Sequence, residues 1–119
     1  MKEVEEVVIE DSKKAILSAI GKSERALIQM SQKGANTSLL SKRLKALSIS
    51  LDVLKSIGKP LSALYSNNDL IETRSTLTKL LIPIERIYNE CKIVSPQRTL
   101  LERRIKAINL VIQMIDENQ

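Results

Sequence analysis

The sequence predicts an all-α protein, a four- or five-helix, mostly antiparallel bundle that forms a single domain over residues 1–119. Several stretches carry apolar residues at alternating spacings of four and three, which places them on one face of a helix. The chain has only three Gly and three Pro, and no stretch combines sustained alternation of apolar and polar residues with the frequent turns expected of a β-sandwich or barrel. Aromatic residues make up only 2% of the chain, so aliphatic side chains must fill the core.

The first helix is expected over residues 3–33, although a cap at Asp11 or Ser12 would also provide a start. Acidic residues at its start suit the positive end of the helix dipole. Residues 34–38, Gly-Ala-Asn-Thr-Ser, provide a turn after it and a cap for the next helix. Its apolar face is marked by Ala15, Ile16, Ala19, Ile20, Leu27 and Met30.

The second helix is expected over residues 38–57, followed by a short helix over residues 60–66. One apolar stripe runs through both: Leu40, Leu44, Leu47, Leu51, Leu54, Gly58, Leu61 and Tyr65. Pro60 lacks a backbone donor and disfavours a helical residue before it, so Gly58-Lys59-Pro60 should break the stripe into two helices.

The third helix is expected over residues 69–93, after a turn and cap at Asn67-Asn68-Asp69. Pro83 lies inside this helix and is expected to kink it. The apolar stripe consists of Leu77, Leu81, Ile84, Tyr88 and Cys91.

The last helix is expected over residues 96–116, with Ser95 as its N-cap and Pro96 at the first helical position, where a missing N–H costs nothing. Its main stripe is Leu101, Ile105, Ile108, Ile112 and Ile115. Ala107, Val111 and Met114 widen this apolar face. The extra width suits either a deeply buried helix or an interface with a second copy of the chain, which makes a homo-oligomer one candidate assembly.

The composition excludes the common catalytic and metal-binding designs. The chain has no His, so Ser-His-Asp, Cys-His and His-metal sites are absent. Gly21-Lys22-Ser23 resembles the end of a phosphate-binding P-loop, but Ile16 stands where that motif requires Gly. Cys91 lies on an apolar stripe and is interpreted as a small buried hydrophobe. We therefore expect no enzyme, no cofactor and no metal.

An intracellular location is expected. The single Cys cannot form a disulfide within the chain, and no apolar run approaches the ~20 residues needed to cross a membrane. Residues 1–6 are acidic and lack the basic and apolar regions of a secretory signal. No membrane partner is predicted.

Basic residues are concentrated in the first half of the chain. The net charge is +5, but residues 1–11 hold one Lys against five Asp and Glu, while residues 12–64 hold ten Lys and Arg against two acidic residues. Basic surface can bind phosphates through counterion release, although aromatic stacking platforms are missing. The candidate nucleic-acid contacts are Lys42, Arg43, Arg98, Arg103, Arg104 and Lys106. One hypothesis is therefore a small basic helical subunit that contacts nucleic-acid backbone within a larger complex, as in CRISPR effector complexes or among bacteriophage accessory proteins.

The segment from Leu39 to Leu64 contains a pattern formed by Ile49-Ser50, Leu54, Ser56, Ile57-Gly58, Leu61 and Leu64. At these positions, with one deletion before Ile57, the segment resembles the N-terminal domain of transcription elongation factor S-II and its relatives. The likeness extends loosely over residues 23–93. The family's Trp-Lys near the end of its last helix is missing, since Ile84–Ile87 occupies that region, and a further helix follows from Ser95.

The resemblance implies a non-enzymatic docking module that binds short acidic-hydrophobic motifs of other transcription proteins. This is the leading functional hypothesis, with proteins as the expected partners. The resemblance implies contact regions at the helix break and at the following turn, with Lys55, Ile57, Lys59 and Asn67 as candidate protein-binding residues. It also implies a nuclear location; without it, the expected location is cytoplasmic.

Overall fold

A computed structural model describes residues 6–56, 59–91 and 94–117. Over these ranges the chain forms four α-helices, one short 3₁₀-helix and no strand, which confirms the all-α prediction. The α-helices are α1 (Glu6–Gln32), α2 (Ser38–Lys55), α3 (Asn67–Glu90) and α4 (Pro96–Glu117). Helices α1 and α3 each pack against both α2 and α4. Consecutive helices are therefore neighbours in a ring, as in an up-down bundle.

One hydrophobic core is shared by all four helices. The fully buried side chains include Ile16 of α1, Leu54 of α2, Leu77 of α3 and Ile115 of α4. At about 25 cal/mol per Å² of apolar surface removed from water, this burial is the main driving force of folding. The aliphatic core agrees with the low aromatic content of the sequence.

The last helix packs deeply into this core. Ala107 and Val111 are 0% exposed and Met114 is 4% exposed. Of the two interpretations of the wide apolar face, the structure therefore supports the deeply buried helix. These three side chains are already covered within one chain and do not present a surface to a second copy.

Helix α1 ends in a turn built on Gly34, which has a φ of +71°. The amide of Ala35 donates to the carbonyl of Met30 at 3.0 Å, and the amide of Gly34 donates to that of Ser31 at 3.1 Å. These two bonds form a Schellman motif, in which a left-handed residue satisfies the last carbonyls of a helix. The predicted turn after the first helix is confirmed.

Serine caps begin the last two helices. The amide of Arg98 donates to Ser95 Oγ at 3.1 Å, and α4 begins at Pro96, both as predicted. In α3 the cap is Ser66, whose Oγ accepts from the amide of Asp69 at 3.2 Å. The residues predicted as a turn, Asn67-Asn68-Asp69, instead form the first turn of α3, because the hydroxyl one residue earlier satisfies the free amide.

The fifth α-helix predicted over residues 60–66 is replaced by a single 3₁₀ turn, Leu61–Ala63. Pro60 is extended, with φ −67° and ψ 130°, and Ser66 already caps α3. Too few residues remain between them for an α-helix. The break itself agrees with prediction, since α2 ends at Lys55, while Ile57 and Gly58 lie outside the described residues.

Helix α3 continues through Pro83 and ends at Glu90. The residues predicted to extend it to 93 lie partly outside the described ranges. Because Pro83 has no N–H, the carbonyl of Lys79 loses its usual helical donor at this point. Pro83 lies on the side of α3 that faces the cleft described below.

Burial is confined to one end of the bundle. The last buried residue of α1 is Ile16 and the first of α2 is Ala46, while burial ends at Leu81 in α3 and resumes at Leu101 in α4. The end that carries the α1–α2 and α3–α4 connections is therefore poorly packed. The Cα extents of 40 × 37 × 20 Å show a molecule as broad as it is long. Together these facts indicate that the two helical hairpins, α1–α2 and α3–α4, diverge.

Candidate functional site

A cleft of about 260 Å³ lies where the two hairpins diverge, and all four helices contribute to its walls. We call it the hairpin cleft. Its apolar lining consists of Ile16, Ala19, Ala26, Leu40, Leu47, Leu80, Pro83, Ile84 and Ile108. Its polar and charged lining consists of Lys22, Ser23, Arg43 and Arg104. The site thus combines an apolar floor with a cationic rim.

Helical spacing brings these side chains to one place. On α1, Ile16, Ala19, Ser23 and Ala26 follow each other at intervals of three and four residues and so share one face. Three of these four side chains are small. Because they fill little space, the α1 wall leaves the gap between the hairpins open.

The cleft carries positive charge only. Its three charged lining residues are Lys22, Arg43 and Arg104, and no Asp or Glu lines it in the described part of the chain. Lys22 and Arg43 form no salt bridge with any described residue. Three cations on an apolar surface favour a ligand that is both negatively charged and apolar.

Arg104 is the most constrained of these cations. Its Nη2 donates to Ser18 Oγ of α1 at 3.3 Å, while its buried Nε has no hydrogen-bond partner among the described residues. Burial also lowers the pKa of the guanidinium, although Arg remains charged at every physiological pH. A buried donor without a partner costs about 1–3 kcal/mol. A ligand carboxylate in the cleft would compensate the positive charge of the guanidinium.

A second groove, of about 340 Å³, runs between α2 and α3. Its lining includes four cations, Lys42, Arg43, Lys45 and Lys79, but also Asp69 and Glu72. Lys45 Nζ lies 3.8 Å from Asp69 Oδ1, so part of its charge is compensated within the chain. This groove is larger than the hairpin cleft, yet its mixed charges select less clearly for one kind of ligand. We therefore regard the hairpin cleft as the stronger candidate.

The structure separates the predicted nucleic-acid contacts. Arg43 and Arg104 meet in the hairpin cleft, and Lys42 lines the α2–α3 groove. Lys106 Nζ pairs with Glu102 Oε1 at 3.2 Å on the exposed face of α4, where Arg103 is also exposed. These residues do not form one continuous patch on α4.

Arg98 has a structural role instead. Its Nη1 donates to the carbonyl of Tyr88 at 3.1 Å and to that of Cys91 at 3.4 Å, and its guanidinium lies 4.0 Å from the centre of the Tyr88 ring. It therefore caps the C-terminal end of α3, where cations are favoured. Cys91, predicted to be a small buried hydrophobe, is half-buried at this end of the helix.

The predicted protein-binding residues lie at the other end of the bundle. Lys55 is the last residue of α2, Lys59 is exposed in the following connection, and Asn67 is the first residue of α3. Lys55 is twelve residues along α2 from Arg43, roughly 18 Å at 1.5 Å per residue. Ile57 lies outside the described residues.

Lys22 and Ser23 line the cleft, although in the sequence they stand out only as part of an incomplete P-loop motif. The structure places Gly21-Lys22-Ser23 inside the continuous helix α1, so this segment does not form a phosphate-binding loop. The available signal was the small-residue face of Ala19, Ser23 and Ala26 next to Lys22. A helix face made of small residues can pack closely against a neighbouring helix or can border an open gap. Only the tertiary structure shows which of the two occurs.

Among the described residues, no three or more His, Cys, Asp or Glu side chains lie close enough together to hold a metal ion. None of the helices in these ranges is long and apolar enough to cross a membrane. Comparison with known proteins finds no matching family model, no significantly similar curated protein and no significantly similar solved structure.

Proposed function

We propose that this chain is a non-enzymatic protein-interaction module, and that the hairpin cleft binds an acidic, amphipathic segment of a partner protein. The observation that carries the proposal is the lining of the cleft, in which an apolar floor is surrounded by three cations and no carboxylate of the described residues. This arrangement complements a helix or extended peptide whose apolar side chains alternate with Asp and Glu.

The shape of the site suits a helix laid between the hairpins. Helix-in-groove recognition uses apolar anchors at positions i, i+3 or i+4, and i+7 of the partner. Two apolar side chains are exposed toward the hairpin tips: Ile87 is 38% exposed and Leu100 is 40% exposed. Ile87 follows Ile84 by three residues, and Leu100 precedes Arg104 by four, so each lies near a cleft residue on its helix.

Arg43 and Arg104 supply the polar part of the proposed recognition. They come from α2 and α4, so they stand on different hairpins and can contact carboxylates on two sides of a bound segment. A guanidinium pairs with a carboxylate through two parallel hydrogen bonds, which fixes orientation as well as adding energy.

The resemblance of residues 23–93 to the elongation-factor domain implies the same class of partner, an acidic-hydrophobic segment of a transcription protein. Our proposal places the binding site in the hairpin cleft rather than around Lys55 and Lys59. A nuclear, transcription-associated protein is accordingly the first class of partner to test.

The alternative function is contact with nucleic-acid backbone. One observation favours it: Lys42, Arg43 and Lys79 line the α2–α3 groove, and none of them forms a salt bridge with a described residue. Binding of this kind weakens steeply as salt rises, because it depends on released counterions. Docking in an apolar cleft should depend less on salt.

The test is a fluorescence-anisotropy titration of the full chain with a labelled helical peptide that carries leucines at i, i+3 and i+7 and glutamates between them. Arg43→Glu with Arg104→Glu should weaken binding at least about tenfold, as expected for reversal of charges that contact the ligand. The matched control, Lys55→Glu with Lys59→Glu, changes the net charge equally at the other end of the bundle and should leave the affinity nearly unchanged.

A third variant separates charge from shape. Ala26→Leu fills the α1 wall of the cleft without changing any charge and should also weaken peptide binding. Circular dichroism confirms that each variant is folded. The proposal would be contradicted if the cleft and control double variants lost equal peptide affinity, or if Ala26→Leu bound the peptide as tightly as the original chain. Preferential, salt-sensitive binding of labelled RNA or DNA would instead support contact with nucleic-acid backbone.

A further inference from the structure

We propose that one occupant of the hairpin cleft is the acidic segment of a second copy of this chain, residues 1–11, so that the protein forms a closed dimer by exchanging these segments. The inference rests on the proposed function, since it names a partner for the same cleft. The start of α1 is acidic and apolar, and the later part of α1 lines the cationic hairpin cleft. The inference depends on this complementarity and on the distance between the two regions.

The acidic segment has the composition that the cleft selects. It holds five Asp and Glu against a single Lys, together with four aliphatic residues. In its described part, Val7 is 60% exposed and Val8 is 44% exposed at the start of α1. Two neighbouring aliphatic side chains therefore remain uncovered on the isolated chain, where covering them would remove apolar surface from water.

The carboxylates beside these valines are also available. Glu6 and Asp11 are exposed, and neither forms a salt bridge with a described residue. Glu10 is engaged locally, with Lys13 Nζ 3.0 Å from its Oε1. Negative charge next to exposed apolar surface is thus present at one end of α1, while the cationic cleft lies along the other half of the same helix.

The described part of the segment, residues 6–11, does not reach the cleft of its own chain. Val8 and Ala19 belong to one continuous helix, Glu6–Gln32, and are about 16 Å apart at 1.5 Å per residue. A helix cannot fold back onto its own face, so residues 6–11 can enter only the cleft of another molecule. A second copy satisfies this requirement without any other protein.

The positions of the acidic segment and the hairpin cleft also permit a symmetric dimer with no unfilled cleft. When two copies lie with their α1 helices antiparallel, the acidic segment of each faces the cleft of the other. Such a two-fold arrangement makes the same contact twice and leaves no unfilled end, which is the usual architecture of homodimers. The reciprocal contacts pair acidic residues 6 and 11 with Arg43 and Arg104.

Analytical ultracentrifugation of the full chain over a concentration series tests the proposal by charge exchange. The cleft variant, Arg43→Glu with Arg104→Glu, and the segment variant, Glu6→Lys with Asp11→Lys, should each raise the dimer dissociation constant at least about tenfold. An equimolar mixture of the two variants should restore the dimer, because the reversed charges are again complementary. A mixture that stays monomeric, or variants that dimerise like the original chain, would overturn the proposal.

A second measurement separates this inference from the proposed function. A labelled peptide of residues 1–11 and an unrelated acidic, amphipathic peptide are each titrated against the full chain. Binding of both, with loss in the cleft variant, supports self-recognition. Binding of the unrelated peptide alone overturns self-recognition and leaves the proposed function standing, whereas failure of both peptides overturns both.

Discussion

Arg74 of α3 and Asp116 of α4 form a two-pronged salt bridge, with Nε 2.5 Å from Oδ1 and Nη2 3.0 Å from Oδ2. Near the same end of the bundle, the Tyr65 hydroxyl donates to the Asp52 carboxylate. These side-chain contacts join elements distant in the sequence at the end opposite the hairpin cleft. Among the described residues, none that lines the hairpin cleft takes part in such a charged pair.

Acid should weaken the Arg74–Asp116 contact. The hydrogen bonds from Arg74 hold the pKa of Asp116 below its ordinary value. Because the folded-state pKa is lowered, the stabilisation is complete above the ordinary value and is lost as the pH falls through the lowered one. The difference in Tm between the original chain and Asp116→Asn should therefore shrink below about pH 4, as followed by circular dichroism. A difference that stays constant in acid would show that the ion pair is not formed.

Alkali should act on Tyr65. The hydrogen bond to Asp52, with partial burial, raises its pKa to about 12. A raised folded-state pKa means that the contribution to stability is complete below about pH 10 and is lost as the pH rises through about 12. In a Tyr88→Phe background, where Tyr65 is the only tyrosine, ultraviolet absorbance should show ionisation near 12, and Asp52→Asn should move it toward 10. Ionisation near 10 in both proteins would contradict the contact.

Substitution of alanine for glycine should have opposite effects on stability at Gly34 and Gly21. Gly34 has a φ of +71°, so Gly34→Ala should destabilise the chain by about 1–2 kcal/mol. Gly21 lies within α1, and an added Cβ would meet only Arg25 Nη1 at 3.5 Å, an ordinary contact. Gly21→Ala should therefore stabilise by about 0.5–1 kcal/mol. Urea unfolding measures both changes, and equal effects would show that the Schellman turn is not formed.

Core burial predicts a large contrast on α3. Leu77 is 0% exposed, so Leu77→Ala should lower the free energy of unfolding by about 2–5 kcal/mol. Ile82, on the same helix, is 69% exposed, and Ile82→Ala should change it by less than about 0.5 kcal/mol. The same urea experiment compares the two variants. Similar losses at both positions would mean that α3 packs with a different face toward the core.

Local chemistry explains why much of the fold was predictable. Ser95-Pro96 and Gly34 act within a few residues, so their caps and turns follow from the sequence. The buried face of α2 was harder to predict, because Ala46, Ser50 and Val53 are buried while Leu44 and Leu51 are only partly so. Pattern-based reasoning places serine outside, yet Ser50 is accommodated because its hydroxyl donates to the carbonyl of Ala46 at 2.7 Å.

The site depends on tertiary structure to a greater degree. Arg43 and Arg104 were predicted as basic surface residues, but their meeting in one cleft depends on how the two hairpins diverge. The apolar stripes give no sign of that divergence. Leu27 and Leu40 belong to the apolar stripes of α1 and α2 but lie outside the core, and neither side chain is fully buried. Periodicity reports which face of a helix is apolar, not whether a neighbouring helix covers it.

The most direct test of the account maps the bound peptide by NMR. Amide shifts of the full chain are followed while the leucine- and glutamate-rich helical peptide is added. We predict that the largest changes cluster at Ala19, Ser23, Leu47, Ile84 and Ile108, the lining of the hairpin cleft. Changes centred on Lys55, Lys59 and Asn67, with the cleft unaffected, would contradict the central claim.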